Sequence, residues 1–339
     1  MLYMKNILYI GNKLHSKNRN VSSIDTLVPL IEKEGYALYY ASSRLNKVLR
    51  LLEMLIACVR HRKQVDVVII DTYSTLNFYY ALFVSQLCRI LNLKYIPSLN
   101  GGNLPKRLQE NPFLCQLIFN HAYKNVSPSL FLKQTFEDFG YTNIDYIPNS
   151  IELEHYPFKE RSFERVNLFW VRSFSIIYNP LLAVKIVKAL QDDGIEASLC
   201  MVGPDSDGTL KQTKKLAKHL DVDVQFPGKL SKPEWVKLAQ DYNIFINTTN
   251  FDNMPVSVVE GMALGMVVIS TNVGGMPYLI DDGHDGILIE PDNVNAFVNA
   301  IKQILGDPEP ANLLGVNARR KVEQFDWNIV KHLWFKTLQ

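Results

Sequence analysis

Asp252 and Glu260 stand eight positions apart, and Pro255 lies between them where a helix would begin. Val256, Val259, Met262 and Ala263 have helical spacing, which places Glu260 within the first turns of that helix. Gly265 can end it, residues 266–270 read as a buried strand, and Gly274 and Gly275 occupy the following loop. Two acids across a helix N-terminus, beside a glycine pair, suit an anionic ligand rich in hydroxyls. Free helix N–H groups and the macrodipole attract phosphate, while carboxylates accept from hydroxyls.

Other chemistries find little support. The histidines at 15, 61, 121, 155, 219, 284 and 332 show no HxxxH or HxH spacing, so a protein metal site is not expected. There is no GxSxG elbow and no P-loop, and no GxGxxG follows the first strand, which argues against a nicotinamide enzyme. Cys58, Cys88, Cys115 and Cys200 are widely separated, form no CxxC pair and read as reduced core thiols of a cytosolic protein. The strand-like N-terminus lacks a signal peptide's long apolar core. No apolar run approaches the roughly 18 residues of a membrane span. Residues 1–155 hold 17 Lys and Arg against 12 Asp and Glu, whereas the remainder holds 19 against 22. The first part can face something acidic, but the whole is too balanced for a nucleic-acid binder.

At 339 residues the chain can form two α/β domains, and strand and helix patterns alternate along nearly all of it. Strands are expected at 6–10, 36–41, 65–70, 94–99, 125–126 and 144–147, with helices over 23–34, 45–63, 75–92 and 129–139 between them. Residues 11–21 and 100–107 read as loops. Pro148, Asn149 and Ser150 interrupt the alternation, and the irregular, polar residues 152–165 read as a linker. The alternation restarts with a strand at 166–171, and Asn179, Pro180 and Gly194 frame the next helix. Further strands fall at 197–202, 222–226 and 244–246, a capping box at Ser231 and Glu234 opens a helix, and helices over 294–305, 311–324 and 327–338 finish the chain. The expected domains are 1–155 and 156–310, followed by C-terminal helices over 311–339. Two doubly wound sheets predict a deep cleft between the carboxyl ends of their strands.

Several motifs together resemble the GT-B glycosyltransferases of family 4. They are YIPNSIE before the linker, WVRSF after the first strand of the second domain, MVGPD at the next strand end, and EGMALGMVVISTNVGGMPYLI. The family's motif is an acid, seven residues, then Glu, and Asp252 and Glu260 have that spacing, with Asp in place of the commoner Glu. The resemblance implies two Rossmann-like domains, 1–155 on the acceptor side and 156–310 on the donor side, with the last of the helices over 311–339 returning to the first domain. It implies a retaining transfer from a nucleotide diphosphate sugar without a bound metal. It also implies that Glu260 accepts from the ribose hydroxyls and Asp252 faces the donor sugar. The backbone over Asn253, Met254, Pro255 and Val256 would approach the sugar and diphosphate, with Gly274 and Gly275 beside it, and Arg172 would bind the diphosphate through its bidentate fork. Gly11 and Asn12 would approach the phosphates from the first domain, Gly203 and Lys229 would border the nucleobase, and Asn100, Gly101, Gly102 and Asn103 would belong to the acceptor side.

Three positions depart from the family's pattern. Ile176, Ile177 and Tyr178 stand where a lysine usually follows the arginine, Tyr278 stands where Glu often follows the glycine pair, and Asn100 stands where many relatives carry histidine. The expected function is transfer of a sugar to a glycan or lipid-linked acceptor in cell-envelope polysaccharide synthesis, such as capsule, O-antigen or lipopolysaccharide. An epimerase, or a catalytically weak sugar-nucleotide-binding scaffold, is the alternative. A cytoplasmic protein is expected, with peripheral contact at the inner face of a membrane as an open question. That question concerns residues 45–63, apolar on one side and ending in Arg60, His61, Arg62 and Lys63. They read first as a core helix with cations at its C-terminal dipole, and alternatively as a membrane-surface helix.

Overall fold

Runs of β-branched and aliphatic residues form two six-stranded parallel sheets in the computed structural model, which describes residues 5–13 and 22–339. Residues 14–21 of the expected first loop, with His15, and the first four residues of the N-terminal strand-like segment lie outside the described residues. The chain divides into one unit of Met1–Asn149 with Trp327–Gln339 and another of Ser150–Asp326.

The first unit runs β1 (Asn6–Ile10), α1 (Ser23–Lys33), β2 (Ala37–Ala41), α2 (Lys47–His61), β3 (Val67–Thr72), α3 (Asn77–Ile90) and β4 (Lys94–Leu99). It continues through α4 (Leu104–Glu110), α5 (Pro112–Phe119), β5 (Asn125–Ser127), α6 (Leu130–Asp138) and β6 (Ile144–Tyr146), in the strand order β2-β1-β3-β4-β5-β6. Alternate side chains of a strand point to opposite faces. Leu8, Ile10, Val68 and Ile70 therefore join one apolar cluster with residues of α2 to α6, and Ile7, Tyr9, Val67 and Ile69 join another. That second face is covered by Ile24 and Val28 of α1 and by Trp327 and Trp334 of the chain's final helix. Trp327 Nε1 donates to Glu34 at 3.0 Å, and Thr337 donates to Asp145 at 2.8 Å.

The second unit runs β7 (Val166–Val171), α7 (Pro180–Asp192), β8 (Ala197–Val202), α8 (Thr209–His219), β9 (Val224–Gly228), α9 (Lys232–Leu238) and β10 (Ile244–Asn247). Then come α10 (Val256–Ala263), β11 (Val267–Thr271), α11 (Met276–Leu279), β12 (Ile287–Ile289), α12 (Val294–Gly306) and α13 (Pro308–Glu323); the final helix is α14 (Trp327–Leu338). The strand order is β12-β11-β10-β7-β8-β9. Leu168 and Trp170 pack towards α7 and α12, whereas Phe169 packs towards α9, α10 and α13.

Two local readings of the sequence change. Pro105 and Pro112 open α4 and α5, so residues taken as loop are helical. Proline is pre-set for the first helical turn and gives up an N–H with no intrahelical partner. Residues 152–165, read as a linker, are built into the second unit. The Arg161 side chain, 5% exposed, donates to the carbonyls of Ala239, Gln240, Tyr242 and Leu264 at 2.6–3.1 Å. A buried guanidinium stays only where its N–H groups find acceptors, and these carbonyls supply them.

Candidate functional site

In the second sheet the chain leaves β7 towards β8 and β9, then resumes on the other side with β10. The carboxyl ends of β7 and β10 therefore flank the switch point, where a doubly wound sheet opens a crevice. Arg172 follows β7, and Asp252 lies in the loop after β10. Their side chains meet as an ion pair, 13% and 17% exposed. Arg172 Cζ lies 4.1 Å from the centroid of Tyr178, so an aromatic face covers the guanidinium. Burial pulls the Arg172 pKa below the usual range, and contact with Tyr178 opposes the shift. Asp252 Oδ1 also accepts from the Asn253 N–H at 2.7 Å, which fixes the turn.

Pro255 caps α10 with extended backbone, φ −73° and ψ 117°, and Val256 is the first helical residue. The first N–H groups of the helix are left without intrahelical acceptors there, directly after Asn253 and Met254. Glu260 sits one turn further on and is 1% exposed. Its Oε1 accepts from the Tyr156 hydroxyl at 2.7 Å and pairs with Lys232 Nζ. Among the described residues its Oε2 is buried without a hydrogen-bond partner. Burial and the neighbouring Glu260 raise the Tyr156 pKa far above its ordinary value, so the phenol keeps its proton and donates.

The glycines hold these loops together by close approach. A β-carbon at Gly275 would collide with the Asn253 carbonyl oxygen, and one at Gly274 with that of Asp252. Without them, the Gly275 N–H donates to the Asp252 carbonyl at 2.9 Å. Gly203, φ +153°, packs on the Arg172 carbonyl, while the Arg172 N–H donates to Val202 at 3.1 Å. The Gly203 N–H donates to Gly228 at 2.9 Å, which brings the exposed Lys229 after β9. Asn253, Met254 and Pro255 are buried, and Val256 is half-buried.

The first sheet's switch point lies between β1 and β3. Gly11 follows β1, and a β-carbon there would stand 2.6 Å from Asp71 Oδ2 of β3. Asp71 Oδ1 accepts from the Tyr9 hydroxyl at 2.7 Å and from Asn100 Nδ2 at 2.8 Å. Its buried Oδ2 has no hydrogen-bond partner among the described residues. Burial pushes the Asp71 pKa up to about 7, against the pull of the bonds from Tyr9 and Asn100. Gly101 passes so close to the next loop that a β-carbon would lie 2.6 Å from Ser74 N. Gly102 and Asn103 then lead into α4, with the Leu104 N–H donating to Gly101 at 3.0 Å. Asn12 is held by Arg50, whose Nη1 donates to Asn12 Oδ1 at 3.3 Å.

Arg172, Gly203, Asp252, Asn253, Gly274 and Gly275 thus share one neighbourhood in the second unit, and Gly11, Asp71 and Asn100 share one in the first. Sequence reading missed Asp71, Tyr156 and Lys232. An acid closing a β-branched run was a signal for Asp71, since the strand continues through Thr72. Lys232 carried a signal too, because a cation at the first position of a helix opposes the dipole unless another group holds it.

Two doubly wound units, each with charged residues at its switch point, define a two-domain α/β protein with a candidate ligand crevice at the strand ends. Residues 156–321 match the family model of Glycosyl transferases group 1. Sulfoquinovosyl transferase SQD2 of Arabidopsis thaliana is 26% identical over 149 residues, 43% of this chain and 28% of that protein. The UDP-Gal:alpha-D-GlcNAc-diphosphoundecaprenol alpha-1,3-galactosyltransferase of Escherichia coli is 23% identical over 207 residues, 56% of this chain and 52% of that one. The chain thus spans about half or less of these curated relatives' length. Among solved structures, Anabaena HepE in complex with UDP and glucose superposes with TM-score 0.79 at 15% identity, covering 98% of this chain and 99% of that one. Sucrose-phosphate synthase from Thermosynechococcus elongatus gives 0.80 at 16% identity, with 98% of each chain covered. The match to Glycosyl transferases group 1 falls within the second unit, and the chain has the GT-B fold.

Proposed function

We propose that this protein is a glycosyltransferase that moves a sugar from a nucleoside diphosphate sugar to a glycan or lipid-linked glycan acceptor. We assign it to the cytoplasm and to cell-envelope polysaccharide synthesis such as capsule, O-antigen or lipopolysaccharide. The observation that carries the reading is Glu260: a buried carboxylate with one oxygen unfilled, one turn into a helix whose N-terminus adjoins the Arg172–Asp252 pair. The group 1 match over residues 156–321 supports transfer chemistry, and the E. coli relative's name describes a lipid-diphosphate-linked acceptor.

In this reading Glu260 accepts from the ribose hydroxyls and Asp252 from the donor sugar. Arg172 and the first amides of α10 receive the diphosphate, Gly203 and Lys229 border the base, and Asn100 to Asn103 serve the acceptor. The bond from the anomeric carbon to the leaving phosphate oxygen breaks while the acceptor oxygen bonds the same face. The departing diphosphate takes the acceptor's proton, so configuration is retained. The protein contributes positioning and charge stabilisation on the leaving group, with Arg172 and the helix dipole in the role a metal ion plays elsewhere.

Thermal shift with UDP, GDP, ADP and CMP tests donor binding. A nucleotide at ~100 times its dissociation constant stabilises the fold by roughly 2.7 kcal/mol. UDP is expected to act, turnover of a UDP-sugar panel should be insensitive to EDTA, and silence with all four nucleotides would count against the reading.

A further inference from the structure

We propose that the outer face of α2 and α3 in the first unit docks onto an anionic lipid bilayer. Helix α2 is apolar on two faces: Met54 and Cys58 are buried in the core with Leu51 and Leu55 packed against it, and a second apolar row faces out. Arg50 is 7% exposed and donates inward to the carbonyls of Arg44 and Leu45 and to Asn12. Leu45 just before the helix, then Val48, Leu49, Leu52, Ile56 and Val59, recur at helical spacing and are 45–69% exposed. The neighbouring α3 packs on the same face of the sheet and carries a second outward row, Leu76, Tyr79, Phe83 and Ile90. Between the exposed side chains of α2 lies a shallow groove of about 310 Å³ lined by Leu55, Ile56, Val59 and Arg60.

Scattered exposed apolar side chains are ordinary, but two aligned rows on adjacent helices form a patch that water disfavours. Charge decides the occupant. Residues 44–63 carry Arg44, Lys47, Arg50, Arg60, Arg62 and Lys63 against the single acid Glu53, and residues 77–90 carry Arg89 and no acid. Glu53 is itself held by Ser42 at 2.5 Å and lies 3.8 Å from Arg44. Leucine and isoleucine that enter the acyl boundary, beside cations that meet phosphate headgroups, make an interfacial helix. The 15-residue α2 is too short to cross a bilayer, and among the described residues no helix is long and apolar enough to do so. A lipid-linked acceptor would lie in such a surface, but the docking face stands independently of the transfer reading.

The test is flotation of the full chain with vesicles of phosphatidylcholine alone and of phosphatidylcholine mixed with phosphatidylglycerol. Two variants accompany the wild type: Leu49→Gln/Leu52→Gln/Ile56→Gln and Arg60→Gln/Arg62→Gln/Lys63→Gln. Thermal melting and the response to nucleotide verify that each is folded, and neither readout requires turnover. The wild type is expected to float with the anionic vesicles only. Each variant should bind them less by on the order of 10- to 100-fold. A wild type that stays down with anionic vesicles overturns the proposal, as does a leucine variant that floats like the wild type. A concentration-dependent dimer, dissolved by the leucine variant and accompanied by no flotation, would show that a second copy covers this face.

Discussion

Lys232 Nζ, at the first position of α9, lies on Oε1 of Glu260 in α10, and the Tyr156 hydroxyl donates to the same oxygen at 2.7 Å. The Lys232 side chain is half exposed, whereas that of Glu260 is 2% exposed. The ammonium thus closes a buried carboxylate from the solvent side and leaves Oε2 unfilled. Lys232→Met removes the cation and exposes the unpaired charge. Urea denaturation should show a loss of roughly 1–3 kcal/mol at unchanged slope. Tyr156→Phe should lose about 1 kcal/mol by the same measure. An unshifted midpoint in both would mean that the contact contributes nothing.

The ion pair between Arg172 and Asp252 joins the loops after β7 and β10. Removing either partner leaves a charge in a poorly solvated place, so each alanine variant should lose several kcal/mol. The double variant should lose clearly less than the sum, because no charge is then orphaned. Arg172→Ala should also lower donor turnover by about 100-fold or more, as removal of one preorganised donor does. A double-mutant cycle that closes additively would contradict the pairing.

Gly275→Ala drives a β-carbon into the Asn253 carbonyl oxygen. Backbone cannot yield as a flexible side chain does, so the loop before α10 must move. Stability and nucleotide binding should fall together, and a crystal structure of the variant should show residues 252–254 displaced. Wild-type binding in this variant would remove the glycine pair from the site.

Asp71 gives a pH dependence of known sign. Its folded pKa, about 7, lies above the ~3.9 of an unfolded aspartate. Between those values the folded chain holds the proton more tightly. The carboxyl's contribution is therefore full below pH ~4 and is lost as pH rises through about 7. Asp71→Asn lacks this loss. The stability of the wild type relative to Asp71→Asn should fall between about pH 4 and about pH 7 and level off above that, as read by urea unfolding. A difference that is flat over that window would show that Asp71 titrates normally.

The parts legible in the sequence were local. Pro255, the helical period after it and Gly265 located α10, so the placement of Glu260 within the first turns of a helix could be read from spacing alone, whereas its burial could not. What joins Arg172 to Asp252 could not, because it depends on β7 lying beside β10, and periodicity carries no strand order. Tyr156 and Lys232 stayed hidden for the same reason, since each reaches Glu260 from a different element. In α2 the apolar residues were visible, but the period does not state which of them turn inward. In the fold Met54 and Cys58 do, beside Arg50 with its carbonyl acceptors, whereas Leu49, Leu52 and Ile56 face out.

Titration calorimetry of UDP into the wild type and Glu260→Gln tests the central claim, that the second unit holds a nucleoside diphosphate through its buried acid. A hydrogen bond to a charged group contributes roughly 1.5–3 kcal/mol. The wild type should bind, and the variant should bind on the order of 10- to 100-fold more weakly while melting as a folded protein. Equal affinity in the two proteins would contradict the assignment of Glu260 as the group that receives the nucleotide.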